Sequence, residues 1–585
     1  MMANMADLLF RSREVVEWTG RRGLFSSYRR YFVVPVLAAF LGSMAAMSHA
    51  ADPPGAPDVA GMESILSRRL PVEGPGEVVL VARDGKILFS HGYGMADREK
   101  RIPATPATRF RIGSVTKQFT AAAILRLAEE GKLSLDDPLA KYFPTYPGGD
   151  KITLRHLLTH TSGLHNYTAH PDFMMRVVHP VSPAVLVAYF QDDPPDFPPG
   201  EQFKYSNSGY VLLGQIVEKV SGLSLGDYLQ KQFFGPLGLQ NTGTWHNAAP
   251  PDDAAKGYSF REGQIAPAID WDMSWAEGAG DLYSTVGDLW RWTEALYGGR
   301  VLSPESLRTM TTEVTVPRKD TLTMRYGMGV YRCEVEWLPA IGHDGAVNGY
   351  MSSVMWFPEE KMTLCVLSNA FPAAPNTVPA VIMPIAVRTF LGPEITAHKP
   401  KVDPSIDPKS YPDYVGRYDY KTGVQEITLD RGHLFAQLTG QQQYEIFPYG
   451  RDAFFFKVVA ARVIFQRGPS GEVEAILHTQ NGKTITAPKL SDHDVVNLTT
   501  QQLDAVVGQY SYGPFKIMTI ARQGNQLYAQ MAGQPAMPIF ARSDHEFYAK
   551  IVPASLEFAR GPDGKIIGVT HRQGGTTLYA PRLGP

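Results

Sequence analysis

Apolar and polar positions change their period several times along this chain. Val78-Val79-Leu80-Val81 and Ile87-Leu88-Phe89 flank Asp84-Gly85, which predicts a β-hairpin between Glu77 and Gly94. From Thr120 to Ala128 almost every residue is apolar or small, in helix-forming types, until Glu129-Glu130-Gly131 stops the run. A helix that is apolar all round is buried, so this one is expected to lie through the middle of a domain. Residues 132–240 read as helices and loops, with proline and glycine concentrated between Pro194 and Gly200. Strand patterns return as Tyr326 to Trp337, Ile341 to Phe357 and Met362 to Leu367, joined tightly as an antiparallel meander. Strands, then helices, then strands again predict one sheet fed from both ends of its domain.

Proline, lysine and aspartate between Glu394 and Lys409 mark a linker, and beyond it the sequence repeats. Val415-Gly416-Arg417-Tyr418 returns as Val507-Gly508-Gln509-Tyr510, and Leu434-Phe435-Ala436-Gln437 as Leu527-Tyr528-Ala529-Gln530. Arg467-Gly468-Pro469-Ser470-Gly471 returns as Arg560-Gly561-Pro562-Asp563-Gly564, and Ala487-Pro488-Lys489-Leu490 as Ala580-Pro581-Arg582-Leu583. Each copy alternates apolar and polar residues between turn signals, as a small antiparallel barrel does. The expected division is an N-terminal leader at 1–50, a first domain at 56–395, a linker at 396–410, a repeat at 411–490, a second linker at 491–505 and a second repeat at 506–585.

Length and composition sharpen this picture in three ways. At 585 residues and 44% hydrophobic content the chain has room for several real cores. A net charge of −2 gives no electrostatic case for nucleic acid as a partner. Two cysteines, Cys333 and Cys365, allow neither a disulfide framework nor a cysteine-based zinc site. They fall on the first and third runs of the meander, too far apart to bridge, so both are expected as free thiols. At the N-terminus Arg21, Arg22, Arg29 and Arg30 precede an apolar run from Tyr31 to Met47 and then Ser48-His49-Ala50-Ala51. That is the pattern of a secretory signal cleaved near Ala50 or Ala51, with an uncleaved membrane anchor as the rival reading. An exported, periplasmic or extracellular protein is the expectation.

The candidate chemistry starts where the buried helix starts. Ser114 and Lys117, three apart, share one helix face. A serine hydroxyl needs a neighbour to take its proton, and a desolvated lysine with a lowered pKa can do so. This is the chain's sole S-x-x-K; the sole Y-x-N, Tyr205-Ser206-Asn207, and the sole H-x-G, His343-Asp344-Gly345, follow in that order. His156 and His160, four apart, suggest a metal pair only until a third ligand is sought, and none is evident, so packing or hydrogen bonding is expected of them. Asp344 alternates to the face opposite His343 and reads as structural.

The ordered trio resembles the penicillin-recognising serine hydrolases: class C β-lactamases, D,D-peptidases, D-aminopeptidases and related esterases. The resemblance covers about residues 56–395, strengthened by Leu157-Leu158-Thr159-His160-Thr161-Ser162-Gly163 and by the stretch from Gly342 to Ser368. Against the motif set S-x-x-K, S-D-N and K-T-G of the wider group, this chain has tyrosine in the second motif and histidine in the third. It implies an α+β fold, an antiparallel sheet with flanking helices and a helical lobe, followed here by two small antiparallel β-barrels as in D-aminopeptidases. It also implies an acyl-enzyme mechanism on amides or esters without metal or cofactor. Ser114 would be the nucleophile, Lys117 and Tyr205 would share its proton, and Asn207 would orient Lys117 and the substrate. His343 would face the substrate as a cation or donor, Gly345 would permit close backbone approach, and Asn348 would reach the substrate. The backbone N–H groups of Ser114 and Ala346 would form the oxyanion hole. The expected partners are small peptide, amide or ester substrates, peptidoglycan fragments and β-lactams, with no nucleic acid and the oligomeric state left open. D-aminopeptidase- or D,D-peptidase-like activity leads. An esterase or a class C-like β-lactamase is the alternative within the family, and a non-catalytic peptidoglycan- or peptide-binding protein the alternative outside it. Neither repeat carries a serine–lysine pair, which leaves the chemistry to the first domain.

Overall fold

The computed structural model describes residues 57–584 apart from 246–252, 262, 315–321, 324, 374–378, 421–423, 439–440, 481–482, 491–497, 514–515, 533–535, 542, 550–553 and 574–575. The N-terminal leader therefore lies outside the described residues. Among those residues no single helix is long and apolar enough to cross a membrane. The chain divides into two compact units, one running to Lys399 and one from Pro400 onward.

Helix α1 (Val59–Arg69) opens the first unit and is followed by the expected hairpin, β1 (Glu77–Arg83) and β2 (Lys86–Tyr93). The apolar run forms α2 (Thr116–Glu129), and the helices α3 (Asn207–Ser221) and α4 (Val286–Tyr297) come later. The C-terminal strands are β3 (Arg325–Tyr326), β4 (Tyr331–Val335), β5 (Leu338–Val347), β6 (Tyr350–Phe357) and β7 (Met362–Ser368), and α5 (Pro379–Phe390) ends the series. The sheet runs β3-β4-β5-β6-β7-β1-β2, so the hairpin from the start of the domain docks on the last strand of the meander. Both faces of this sheet are covered, and the period of two sorts its residues between them. Val78, Leu80, Cys365 and Leu367 join the larger core, shared with α2, α3 and α4. Val79, Val81, Leu364 and Val366 join the second core under α1 and α5. In α2, eleven residues from Thr116 to Leu127 are buried, which is why that helix could be apolar all round.

The structure corrects one element. Ile341 to Phe357, expected as a single strand run, is two strands turned at Asn348-Gly349, where Gly349 takes φ +85°. An Asn-Gly pair flanked by apolar residues is a strong two-residue hairpin signal. Cys333 on β4 and Cys365 on β7 are thus three strand steps apart, about 14 Å, and they face opposite cores. Both are free and buried.

In the second unit each repeat forms eight antiparallel strands, from Gly416–Asp419 to Lys483–Pro488 and from Gly508–Ser511 to Thr576–Leu583. The second barrel closes through Gln509↔Leu583 and Tyr510↔Arg582. The first meets its own end at a single bridge, Tyr418↔Lys489. The repeated phrases have a physical reason. The hydroxyl of Tyr418 donates to Tyr414 O at 2.8 Å, and that of Tyr510 to Val506 O at 2.7 Å, so each tyrosine ties the first strand to the turn before it. A Cβ on Gly416 would meet the side chain of Lys489 at 2.6 Å, and one on Gly508 that of Arg582 at 2.9 Å. The Val-Gly-x-Tyr phrase at the start of each copy is therefore packed against the Ala-Pro-Lys/Arg-Leu phrase at its end.

Candidate active site

The first residues of α2 are set by a backbone that only glycine tolerates well. Gly113 has φ +48°, and a Cβ there would come within 2.8 Å of Ala346 N. The tight turn Gly113–Val115 runs straight into α2 and places Ser114 beside the end of β5. Lys117, one turn on, has no exposed surface. Its Nζ lies 3.0 Å from Ser114 Oγ, 2.8 Å from Asn207 Oδ1 and 2.6 Å from Ala279 O. Asn207 is the first residue of α3; its backbone N–H donates to Asn166 Oδ1 at 3.1 Å, and the Nδ2 of the side-chain amide that meets Lys117 donates to Thr168 Oγ1 at 3.5 Å.

Burial pushes the Lys117 ammonium well below the usual lysine range, with the buried Asp281 pulling weakly the other way. That decides what the three contacts mean. An ammonium would donate to all three acceptors. A neutral amine keeps two N–H donations, to Asn207 and Ala279, and turns its lone pair toward Ser114, whose hydroxyl then donates to Nζ. The arrangement can therefore take a proton from Ser114 without moving a side chain.

Tyr205 precedes α3 with its ring centroid 5.0 Å from Lys117 Nζ. Its hydroxyl is buried with no hydrogen-bond partner of good geometry, although the nearby Ser114 hydroxyl favours its ionised form. Burial outweighs that pull and raises the phenol pKa. Burial therefore disfavours the charged form of both Lys117 and Tyr205. His160 packs 4.2 Å from the Tyr205 ring and accepts at Nδ1 from Ser206 N, 3.2 Å away. His156 accepts from Thr153 N at 3.2 Å as part of a helix cap. His156 is thus held within its own helix cap, and His160 by the segment that leads into α3.

The other side of the site is the end of β5. Strand β4 pairs with β5 only as far as Gly342, so His343 to Val347 have an open edge on that side. His343 is 3% exposed. Its Nδ1 faces the carbonyl of Asp344 and so carries the proton, while Nε2 accepts from the Tyr326 hydroxyl at 2.9 Å. Burial, with Lys117 adding to it, pushes the imidazole down to about 3. His343 is therefore neutral with both nitrogens engaged, and no cation stands at this position. Asp344 accepts from the hydroxyls of Tyr331 and Ser353, a structural role. Asn348 is buried and donates to Ile269 O at 2.6 Å. At Gly345 the chain closely approaches itself: a Cβ would lie 2.0 Å from Ile112 O and 2.4 Å from Ser352 Oγ. The close backbone is thus the chain's own, two residues before Ser114. Gly345→Ala should lower the melting temperature and reduce acylation of Ser114 together, a cost of about 1–3 kcal/mol for forced overpacking. Thermal unfolding and active-site labelling of the variant check this.

Between these walls lies an open pocket of about 380 Å³ including its mouth, and Ser114, Asn207 and Ala346 stand in its lining. Much of the remaining wall is aromatic: Tyr167, Phe173, Trp271 and Trp275, with Asp272 among them. Sequence reasoning missed these residues; the only local signal was two tryptophans bracketing an aspartate in Trp271-Asp272-Met273-Ser274-Trp275. Arg111, three residues before Ser114, fastens this wall. Its guanidinium donates to Trp271 O at 3.1 Å, pairs with Asp270 at 2.8 Å and stacks 4.4 Å over Trp245.

A family model described as Beta-lactamase matches residues 70–381. A second, described as a domain of unknown function (DUF3471), matches 400–494 and 492–578. Penicillin-binding protein 4* of Bacillus subtilis (strain 168) is 29% identical over 434 residues, covering 68% of this chain and 92% of the relative. A D-aminopeptidase of Gluconobacter oxydans (strain 621H) is 30% identical over 352 residues, covering 58% of this chain and 63% of the relative. Among solved structures, a D-stereospecific amidohydrolase from Streptomyces sp. is 29% identical with a TM-score of 0.50, covering 57% of this chain and 99% of that one.

Proposed function

The chain belongs to the beta-lactamase family of serine hydrolases, and from that premise we propose that it cleaves amides of D-amino acids through an acyl-enzyme on Ser114. In this reading Lys117 accepts the Ser114 proton and Tyr205 shares the path to the leaving group. Asn207 holds Lys117 and the substrate amide, and the backbone N–H groups of Ser114 and Ala346 receive the oxyanion. The observation that carries it is the three-way environment of Lys117, in which two acceptors hold the amine and the third direction is left to the serine. A base presented this way needs no reorganisation when the reaction starts. Gly113 and Ala346 lie in backbone contact, which supports a shared oxyanion hole.

Two observations favour an aminoacyl amide over the related substrates. A neutral His343 with both nitrogens occupied offers no cation to a substrate carboxylate. That weighs against a D,D-carboxypeptidase and against efficient turnover of β-lactams, although a β-lactam can still acylate Ser114. The relatives named for D-aminopeptidase and D-stereospecific amidohydrolase activity support the same choice. Peptidoglycan fragments carrying D-residues fall within this substrate class. Export belongs to the proposal too, resting on the arginine-led apolar run before Ala50.

A substrate panel tests the proposal: D- and L-aminoacyl anilides, acetate esters and a chromogenic cephalosporin, run against purified protein. The expected order of kcat/KM is D-anilide first, with the L-anilide and the cephalosporin at least about 100-fold lower, the size of discrimination a misplaced reacting group produces. Hydrolysis of esters alone would overturn the amide reading in favour of an esterase.

A further inference from the structure

Asp272 is a partly exposed carboxylate in an otherwise largely aromatic wall. The residue lines the same pocket as Ser114 and caps the short helix Met273–Ala276. Its Oδ1 accepts from Ser274 N at 3.0 Å and from Ser274 Oγ at 2.6 Å. Oδ2 has no hydrogen bond, and Asp272 makes no ion pair among the described residues; the nearby Arg111 is committed to Asp270 and Trp271 O. The walls beside it are rings in mutual edge contact: Phe173 lies 5.3 Å from Trp271, 5.9 Å from Trp275 and 5.7 Å from Tyr167. A second carboxylate, Asp281, is wholly buried close enough to act on both Lys117 and Tyr167. The pocket therefore presents one carboxylate oxygen without a hydrogen bond among the described residues and ring faces that attract cations.

We infer that Asp272 binds the free ammonium group of the acyl donor, so that the enzyme selects donors with an unblocked primary amine and an apolar, preferably aromatic, side chain. This rests on Ser114 being the acylated residue. A blocked amine brings to Asp272 a neutral amide that cannot form a charge-assisted bond.

Asp272→Asn tests this, because asparagine keeps the helix cap while the charge is lost. The probes are D-phenylalanine p-nitroanilide and its N-acetyl derivative, each with the matching methyl ester. Wild type should prefer the free amine at least about 100-fold, and Asp272→Asn should lower kcat/KM for free-amine donors about 30-fold, mainly through KM, the size of a lost charged hydrogen bond. Turnover of the N-acetyl donors should stay within about twofold. In wild type, kcat/KM for the free-amine donor should also fall as pH rises through the substrate's own ammonium pKa, near 8, and this limb should vanish in the variant. Equal losses on both donors, or an unchanged preference, would overturn the inference. A wild type that cleaves only the esters would refute the amide reading, and the ester pair would then still decide the role of Asp272. Fluorophosphonate labelling of Ser114 in both proteins confirms that the nucleophile is intact in either case.

Discussion

A fluorophosphonate or a labelled penicillin adds once to the protein, and Ser114→Ala carries none of it. The expected loss in kcat is about 10⁵-fold or more, in line with removal of the nucleophile from other serine hydrolases. The hydroxyl is small and the turn that presents it is fixed by backbone, since Gly113 abuts Ala346 and Thr116 Oγ1 accepts from Leu282 N at 3.2 Å. The variant should therefore fold and melt like the parent, which separates loss of chemistry from loss of structure. Intact-mass measurement gives the result directly. A mutant labelled as fully as the parent would move the nucleophile elsewhere.

Lys117→Met and Tyr205→Phe should each slow acylation by about 10³–10⁴-fold, the range general-base removal reaches when the base acts on a nucleophile. The double variant should be scarcely worse than either, because groups that serve one proton path are not additive. Losses that multiply would mean separate paths. A stability measurement on Lys117→Met tests the titration argument independently of activity. The folded pKa of Lys117 lies well below its unfolded value near 10.4. Between those values the unfolded chain holds a proton the folded chain lacks, so stability falls as pH falls from the unfolded pKa toward the folded one. Methionine fills a similar space and cannot titrate. Lys117→Met should therefore raise the melting temperature at pH 7 and flatten its dependence on pH, even as activity disappears. A variant less stable at pH 7 would mean that the three hydrogen bonds to Nζ outweigh the cost of burying the amine.

The contact of Ser114 with Lys117 and the sheet were legible before the structure because each is written locally. An i, i+3 pair at the start of an apolar helix shares a face wherever that helix goes, and alternation assigns strand residues to one core or the other. What was not legible arises between segments distant in sequence. His343 sits where its motif put it, but its charge state is decided by Tyr326 on another strand and by burial beside Lys117. The aromatic wall gathers Tyr167 and Phe173 from one loop region and Trp271 and Trp275 from another, with no shared periodicity. Gly345 is expected to open the strand to close backbone approach at the substrate site, and the sequence could not say that the chain's own Ile112 O comes close there. The Asn348-Gly349 turn was legible and was passed over, because unbroken strand character on both sides hid a two-residue reversal.

The seam of each barrel has a further consequence for how such a chain can change. In both copies the opening and closing phrases are neighbours, through Tyr510↔Arg582 in one and Tyr418↔Lys489 in the other. A module whose entrance and exit lie side by side can be inserted into a polypeptide, copied in tandem or excised while the flanking residues stay nearly where they were. Each copy also carries its own latch, a tyrosine hydroxyl on the preceding turn and a basic stem across a glycine, so a newborn duplicate needs no neighbour to shut it. Its outward residues are then free to drift from those of its twin without unfastening either one.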